Sequence, residues 1–80
     1  MDALKQSARK VVGTKQLLRA LKAGQVLRAY VANDVDTFLF QRVVRASEEA
    51  QVPVVRVATM KELGDACHVE VPTAAAGLLR

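Results

Sequence analysis

Hydrophobic positions along this chain follow two periods, one typical of strands and the other of helices. Short apolar runs predict strands at residues 11–12, 26–32 and 54–57, and small apolar residues predict a last strand at 73–79. Apolar residues at three- and four-residue steps predict helices between them. These helices cover residues 4–9, 14–23, 35–50 and 60–67.

Because strands and helices alternate, helices are expected on both faces of a central sheet. The predicted fold is α/β, a three-layer α-β-α sandwich around a mostly four-stranded mixed sheet. No internal repeat, low-complexity tract or linker interrupts the pattern, so residues 1–80 are predicted to form a single domain.

The helix predicted at residues 14–23 has an apolar face and a basic face. On a wheel of about 100° per residue, one face carries leucines. These are Leu17, Leu18 and Leu21. The other face carries Lys15, Arg19 and Lys22. The helix therefore has one side to bury and one side to present to an anion.

The ends of this helix are marked by local signals. Gly13 permits a tight turn and close backbone approach, and Thr14 is predicted as the N-cap through its hydroxyl. Gly24 is predicted to end the helix. Free N–H groups and the positive end of the helix dipole favour a negatively charged partner at its start.

Two further helix starts have predicted caps. Asp34 or Asp36 can cap the third helix, and Thr59 with Glu62 forms a capping-box pattern before the fourth. The third helix has a core stripe, made of Val35, Leu39, Val43, Ala46 and Ala50. Phe40 and Val44 fall outside that stripe, so they either touch a neighbouring element or form a small exposed apolar patch.

The charge distribution favours a polyanionic partner. Net charge is +4, with an excess of +6 in residues 1–28 and −2 in residues 29–80. The basic excess therefore surrounds the leucine-faced helix, and a folded RNA is the partner that we expect. The alternative is a protein whose surface charge is merely uneven.

The composition excludes several other classes. With 51% apolar residues, the chain can build a globular core. No apolar run approaches the ~18 residues of a membrane span, and no continuous apolar segment follows residues 1–5, so we expect neither a membrane anchor nor a signal peptide. A single cysteine excludes an internal disulfide and is compatible with the cytoplasm, where we expect the protein.

The sequence contains no recognisable set of catalytic residues. Cys67 and His68 are neighbours in the chain, but Cys67 is predicted to face inward, where packing is its expected role. Asp34 and Asp36 lie beside a helix start, which makes capping their expected role. One histidine and one cysteine give no metal-ligand set of the usual spacing. We therefore expect no catalytic residues, no metal, no cofactor and no enzymatic activity.

Several segments, in order along the chain, resemble the ribosomal-protein family often called L-seven-Ae, and in particular its small bacterial members. The resemblance covers residues 11–79. Its segments are Gly13-Thr14-Lys15-Gln16, Lys22-Ala23-Gly24, Val31-Ala32-Asn33-Asp34, Val52-Pro53-Val54, Met60-Lys61-Glu62-Leu63-Gly64-Asp65-Ala66-Cys67 and Val69-Glu70-Val71-Pro72.

The resemblance implies an α-β-α sandwich that binds kink-turn RNA, a bent duplex with a three-nucleotide bulge beside tandem sheared G·A pairs. In the family, the start of the second helix enters the major groove at the G·A pairs, and the loop before the last strand covers the bulge. The residues expected to bind RNA are Gly13, Thr14, Lys15, Gln16, Arg19, Lys22, Val69, Glu70 and Val71.

This chain departs from the Gly-x-Asn-Glu pattern that archaeal and eukaryotic members usually carry. Lys15 stands at the Asn position, Gln16 at the Glu position, and Arg19 where those members have a lysine. Lys15 can donate to guanine O6 and N7, whereas Gln16 offers a donor and an acceptor without charge.

The loop at residues 69–72 has two interpretations. Val69 and Val71 can be exposed side chains that pack on an unstacked base, with Glu70 accepting from a guanine N–H or a ribose 2′-OH. Alternatively, the segment is the start of a strand with one solvated glutamate. The resemblance favours the first interpretation.

The function expected from the sequence is a monomeric, ribosome-associated protein that stabilises the kinked state of an RNA. The alternative is a protein-interaction module on the same fold, docking on a ribosomal or other protein partner through Phe40 and Val44.

Overall fold

The computed structural model describes residues 2–80; Met1, the first residue of the predicted domain, lies outside the described residues. Helices and strands alternate along the chain. They are α1 (Asp2–Gln6), β1 (Lys10–Val12), α2 (Thr14–Lys22), β2 (Val26–Ala32), α3 (Thr37–Glu49), β3 (Val54–Val57), α4 (Met60–Ala66) and β4 (Ala75–Leu79). Within residues 2–80 no helix has the length and apolar content that a membrane crossing requires.

The four strands form one mixed sheet in the order β1-β4-β2-β3. β4 runs antiparallel to both β1 and β2, whereas β2 and β3 are parallel. The predicted four-stranded mixed sheet is thus confirmed. β2 and β3 begin and end at the residues that the sequence predicted. The last strand begins at Ala75 rather than residue 73, because Thr73 and Ala74 belong to the loop that precedes it.

Helices cover both faces of the sheet, which confirms the α-β-α sandwich. Alternate residues of β2 point to opposite sides. Ala29 and Val31 pack in a cluster with the α2 leucines and Val43 of α3, while Tyr30 packs in a second cluster with residues of α1 and α4. Burial of each large apolar side chain contributes roughly 1.5–3 kcal/mol.

The small residues of β4 let α2 approach the sheet closely. A Cβ on Gly77 would lie 2.7 Å from Cδ1 of Leu17, which is itself fully buried. Ala75 and Ala76, in the same strand, are also fully buried. α2 is therefore positioned directly on the strand that carries the last loop.

Three helices end in the same Schellman geometry, in which two N–H groups beyond the helix bond back to its last turn. After α2, the residue in the left-handed region is Gly24 (φ +71°), as predicted. After α3 it is Gln51 (φ +57°), and after α4 it is His68 (φ +61°). The Gln51 and Val52 N–H groups donate to the carbonyls of Glu48 and Ser47.

The helix starts at α3 and α4 are capped by side chains. Asp36 accepts from the N–H groups of Phe38 and Leu39, so α3 begins at Thr37 rather than Val35. Thr59 accepts from the Glu62 N–H, as predicted.

Asp34, the other candidate cap for α3, bonds elsewhere. It accepts instead from the Met60 N–H at 2.8 Å and so joins the end of β2 to the start of α4.

The loop before β4 rests on α4 at a glycine. A Cβ on Gly64 would collide with the carbonyl oxygen of Val71, and its next neighbours would be the Val71 carbonyl carbon and Pro72 Cα. The Thr73 N–H also donates to the Met60 carbonyl (3.0 Å). The path of the loop therefore depends on the missing side chain of Gly64.

Phe40 contacts a neighbouring element rather than forming an exposed patch. It packs against the cluster beneath α2 and α3, and the Arg56 guanidinium lies 4.9 Å from its ring centroid. Val44 is half-buried. The exposed aromatic side chain of α3 is Phe38, which is 75% exposed.

We expect Gln51→Gly to raise the free energy of unfolding by about 0.5–1 kcal/mol, because glycine adopts the left-handed conformation without steric cost. Denaturant unfolding monitored by circular dichroism measures the change. Gln25→Gly is the matched control at a position without positive φ, and it is expected to lower stability. A loss of stability in Gln51→Gly would contradict the expectation.

We expect Gly64→Ala to lower the free energy of unfolding by about 1–3 kcal/mol, because the new methyl group displaces the backbone of the loop. In a solvent-facing helix the same change would stabilise by about 1 kcal/mol, so the sign of the effect is diagnostic. Asp65→Ala, at an exposed neighbouring position, serves as the control and is expected to change stability by less than about 0.5 kcal/mol. Stabilisation by Gly64→Ala would show that the loop does not depend on this contact.

Candidate nucleic-acid interface

The start of α2 leaves its first N–H groups available to an outside acceptor. Gly13 is the N-cap, with φ +103° and ψ 150°, and no described side chain caps this helix. The prediction that Thr14 is the N-cap is therefore wrong. Thr14 is the first helical residue, so its hydroxyl lies within the first turn. Uncapped N–H groups and the helix dipole together make this end suitable for an anion.

The predicted α2 residues do not all lie at this end. Thr14 is half-buried, while Lys15 and Gln16 are exposed in the first turn and Arg19 is exposed one turn further on. Lys22 lies about 10 Å along the axis from Lys15, given ~1.5 Å of rise per residue. Its side chain lines a groove between α2 and α3 instead.

The loop before β4 presents one apolar side chain, not two. Val69 is half-buried against the cluster that holds α4, and its N–H donates to the Gly64 carbonyl. The prediction that Val69 is exposed is therefore wrong, because the Schellman end of α4 turns it inward. Val71 is 65% exposed, and Glu70 is exposed as well.

Backbone hydrogen bonds bring the start of α2 and this loop to the same end of the molecule. The Gly13 N–H donates to the Ala75 carbonyl (N···O 2.8 Å), and the Ala32 N–H donates to the Ala74 carbonyl (3.0 Å). Only Thr73 and Ala74 separate Pro72 from Ala75, and three Cα-to-Cα steps span at most about 11 Å. We call the first turn of α2 together with residues 70–72 the helix–loop surface.

A further cation is held near this end by fixed partners. The Arg56 Nε–H donates to Asn33 Oδ1 (3.0 Å), while the guanidinium stacks on Phe40. Asn33 directly follows β2, and its own N–H donates to the Val57 carbonyl. Sequence reasoning missed this arrangement because its members come from three separate segments.

Cys67 and His68 have structural roles. Cys67 is buried in the cluster beneath α4, and this burial raises the pKa of its thiol, an effect that Lys10 partly opposes. A raised pKa is the opposite of what a reactive thiolate requires. The His68 ring Nε2 lies 2.9 Å from the Lys5 carbonyl oxygen, so the ring joins α4 to α1.

Besides Asn33, Phe40 and Arg56, three further residues near this end were not among the predicted site residues. They are Asp34, Phe38 and Gly64. Gly64 alone carried a signal in the sequence: a glycine inside a short helical segment costs about 1 kcal/mol relative to alanine, so it indicates a close approach. The bond from Asp34 to Met60 and the exposure of Phe38 depend on tertiary structure.

Known proteins similar to this chain in sequence are named as RNA-binding proteins. The chain is 47% identical over 75 residues to an RNA-binding protein of Geobacillus sp. (strain WCH70), covering 94% of this chain and 92% of that one. It is 45% identical to the RNA-binding protein YbxF of Geobacillus stearothermophilus, again covering 94% of this chain and 92% of the other.

Solved structures of other proteins are also similar to this fold. The Giardia lamblia 15.5kD RNA binding protein superposes with a TM-score of 0.91 at 26% identity, covering 99% of this chain and 69% of that one. A protein with unknown function from Bacillus halodurans superposes at 0.85 with 19% identity, covering 96% and 77%. The model of one family matches residues 1–80 in full. The chain belongs to the Ribosomal protein L7Ae/L30e/S12e/Gadd45 family.

Proposed function

We propose that the protein binds RNA and recognises kink-turns through the helix–loop surface. The observation that carries this proposal is the hydrogen bond from Gly13 to Ala75, because it keeps the first turn of α2 and the last loop at one end of the molecule. One bent RNA can therefore contact both. The names of the Geobacillus and Giardia relatives, which describe RNA-binding proteins, support the choice of RNA.

Charge also supports an RNA partner. The first turn of α2 combines uncapped N–H groups with the exposed side chain of Lys15, and Arg19 follows on the same helix. A phosphate or guanine edge can accept from all three kinds of donor. These contacts hold the RNA without any chemical step, so the proposed function is binding rather than catalysis.

Recognition of a kink-turn assigns separate tasks to the two halves of the surface. Lys15 would donate to O6 and N7 of a guanine in the sheared pairs, and Gln16 would supply a neutral donor and acceptor beside it. Val71 would pack on an unstacked base of the bulge, while Glu70 would accept from a guanine N–H or a 2′-OH. Val69, which packs inward, would support the loop rather than touch RNA.

Binding of this kind selects one conformation of the RNA. Both halves of the surface are engaged only when the RNA is bent, so the protein binds the kinked state more tightly than the extended state. A shift from 1% to 99% kinked requires a preference of about 10⁴-fold. We propose a monomer in the cytoplasm as the binding form, with ribosomal RNA among its targets because the family description names ribosomal proteins.

We expect the protein to shift a kink-turn RNA at lower concentration than the same RNA without its G·A pairs. Lys15→Ala is expected to weaken binding by about 1–3 kcal/mol, or roughly 5- to 150-fold in Kd, because a bidentate guanine contact is lost. Electrophoretic mobility shifts measure both effects. Arg80→Ala is the control, because Arg80 is exposed and its N–H donates to the Gln25 carbonyl beyond the far end of α2. Equal affinity for the two RNAs would reject specific recognition.

We expect Val71→Ala to weaken kink-turn binding by about 0.5–1 kcal/mol, less than the ~1–3 kcal/mol of base stacking on an aromatic ring. Stability is expected to change little, because the side chain is exposed. Leu27→Ala is the matched control, since Leu27 is 48% exposed near the start of β2, the end of that strand farther from the helix–loop surface. The proposed role of Val71 is wrong if the two variants bind alike.

A further inference from the structure

A groove with a volume of about 550 Å³ lies between α2 and α3. Its floor is apolar and is made by the contact between the two helices. Its rim is charged. The floor residues are Leu18, Leu21, Ala46 and Ala50, and the rim residues are Lys22, Arg42, Arg45 and Glu49. We call this the α2–α3 groove.

The rim of the groove is strongly cationic. Lys22, Arg42 and Arg45 are all exposed, and Glu49 is the one carboxylate among the residues that line the groove. Arg42 and Arg45 are three residues apart and therefore neighbours on the surface of α3. With three cationic side chains and one anionic side chain, the rim has a net positive charge that suits a polyanionic ligand.

The rim continues the basic face of α2. Lys15, Arg19 and Lys22 follow one another at four- and three-residue steps, so they share one side of the helix. This side runs from the helix–loop surface to the α2–α3 groove. Lys15 and Lys22 are about 10 Å apart along the helix axis. This distance corresponds to roughly three phosphates of one strand of a duplex, at ~3.4 Å of axis per phosphate.

The floor of the groove argues against a protein helix as the occupant. A docked helix needs exposed apolar anchors. Leu21 is only 4% exposed because α2 and α3 already use it for their own packing. The large exposed apolar side chains of the described chain are Leu27, Phe38 and Val71, and none of them lines the groove. A ligand of the groove would therefore be held mainly by the charged side chains of its rim.

We propose that the α2–α3 groove holds the sugar–phosphate backbone of one stem of the bound RNA, with Lys22, Arg42 and Arg45 neutralising its phosphates. This inference rests on the proposed function of the helix–loop surface, and it extends the RNA footprint from the kink to the adjoining stem. Glu49 opposes the same phosphates and lowers the affinity of the groove. Phosphate contacts of this kind position the RNA without reading its sequence.

The first test is the double variant Arg42→Gln/Arg45→Gln. Loss of two phosphate contacts makes the slope of log Kd against log salt shallower by about 1.8, at ~0.9 per phosphate. At 50 mM salt we expect Kd to rise roughly tenfold, and the gap to close toward 200 mM. Lys5→Gln/Lys61→Gln removes two exposed lysines from α1 and α4, on the other face of the sheet, and is expected to leave the slope nearly unchanged.

The second test reverses the sign of the effect. Glu49→Gln removes the carboxylate from the rim and is expected to lower Kd roughly two- to fourfold at low salt. Glu62→Gln makes the same charge change on α4 and is expected to have a smaller effect. Tighter binding cannot come from damage to the fold, so this result separates the groove from any general loss of stability.

The third test locates the stem. Two kink-turn RNAs are prepared, each with one of its stems cut back to the base pairs next to the kink. The penalty of Arg42→Gln/Arg45→Gln is expected to disappear with one of them and persist with the other. A penalty that persists with both, an unchanged slope on the full RNA, or an equal loss in the control double variant would overturn the inference.

These outcomes separate the inference from the proposed function. If the wild-type protein binds RNA equally with and without G·A pairs, kink-turn recognition fails. If it discriminates between them and Arg42→Gln/Arg45→Gln binds like the wild type, only the inference about the groove fails. In that case the groove would be free for an acidic protein partner.

Discussion

The hydrogen bond between Gly13 and Ala75 joins the turn before α2 to the first residue of β4. Directly after this N–H the chain turns into α2 with Gly13 at φ +103°, a conformation that is sterically costly for residues with a side chain. The same strand supports α2 from below, where Leu17 lies against Gly77. One strand of small residues thus fixes both the position of the helix and the starting point of the loop, and the proposed RNA surface depends on that arrangement.

The sequence predicted those elements whose signals are local. The apolar runs of β2 and β3, the amphipathic pattern of α2 and the stop at Gly24 all follow from neighbouring residues, and the structure confirms them. The fold class followed from the alternation of strands and helices. The wrong prediction of Thr14 as N-cap is also local in origin. Side chains with a hydroxyl are preferred at the N-cap, but in α2 the neighbouring Gly13 occupies that position.

Details of the site that depend on distant residues could not be predicted in this way. Asp34 bonds a backbone group 26 residues away, and Arg56 stacks on a ring from a different layer of the fold. Val69 looked equivalent to Val71 in the sequence, since both flank a glutamate. The Schellman end of α4 turns Val69 inward and leaves Val71 exposed. Periodicity alone does not distinguish these two positions.

The contact between Gly64 and the Val71 backbone has a consequence for the thermodynamics of binding. With no side chain between them, loop and helix are in direct van der Waals contact, and the Thr73–Met60 hydrogen bond adds a second attachment. A surface ordered in advance loses little conformational entropy when a ligand arrives. Most of the entropic cost of forming the complex would then fall on the RNA, so differences in affinity among RNAs would reflect how readily each of them bends.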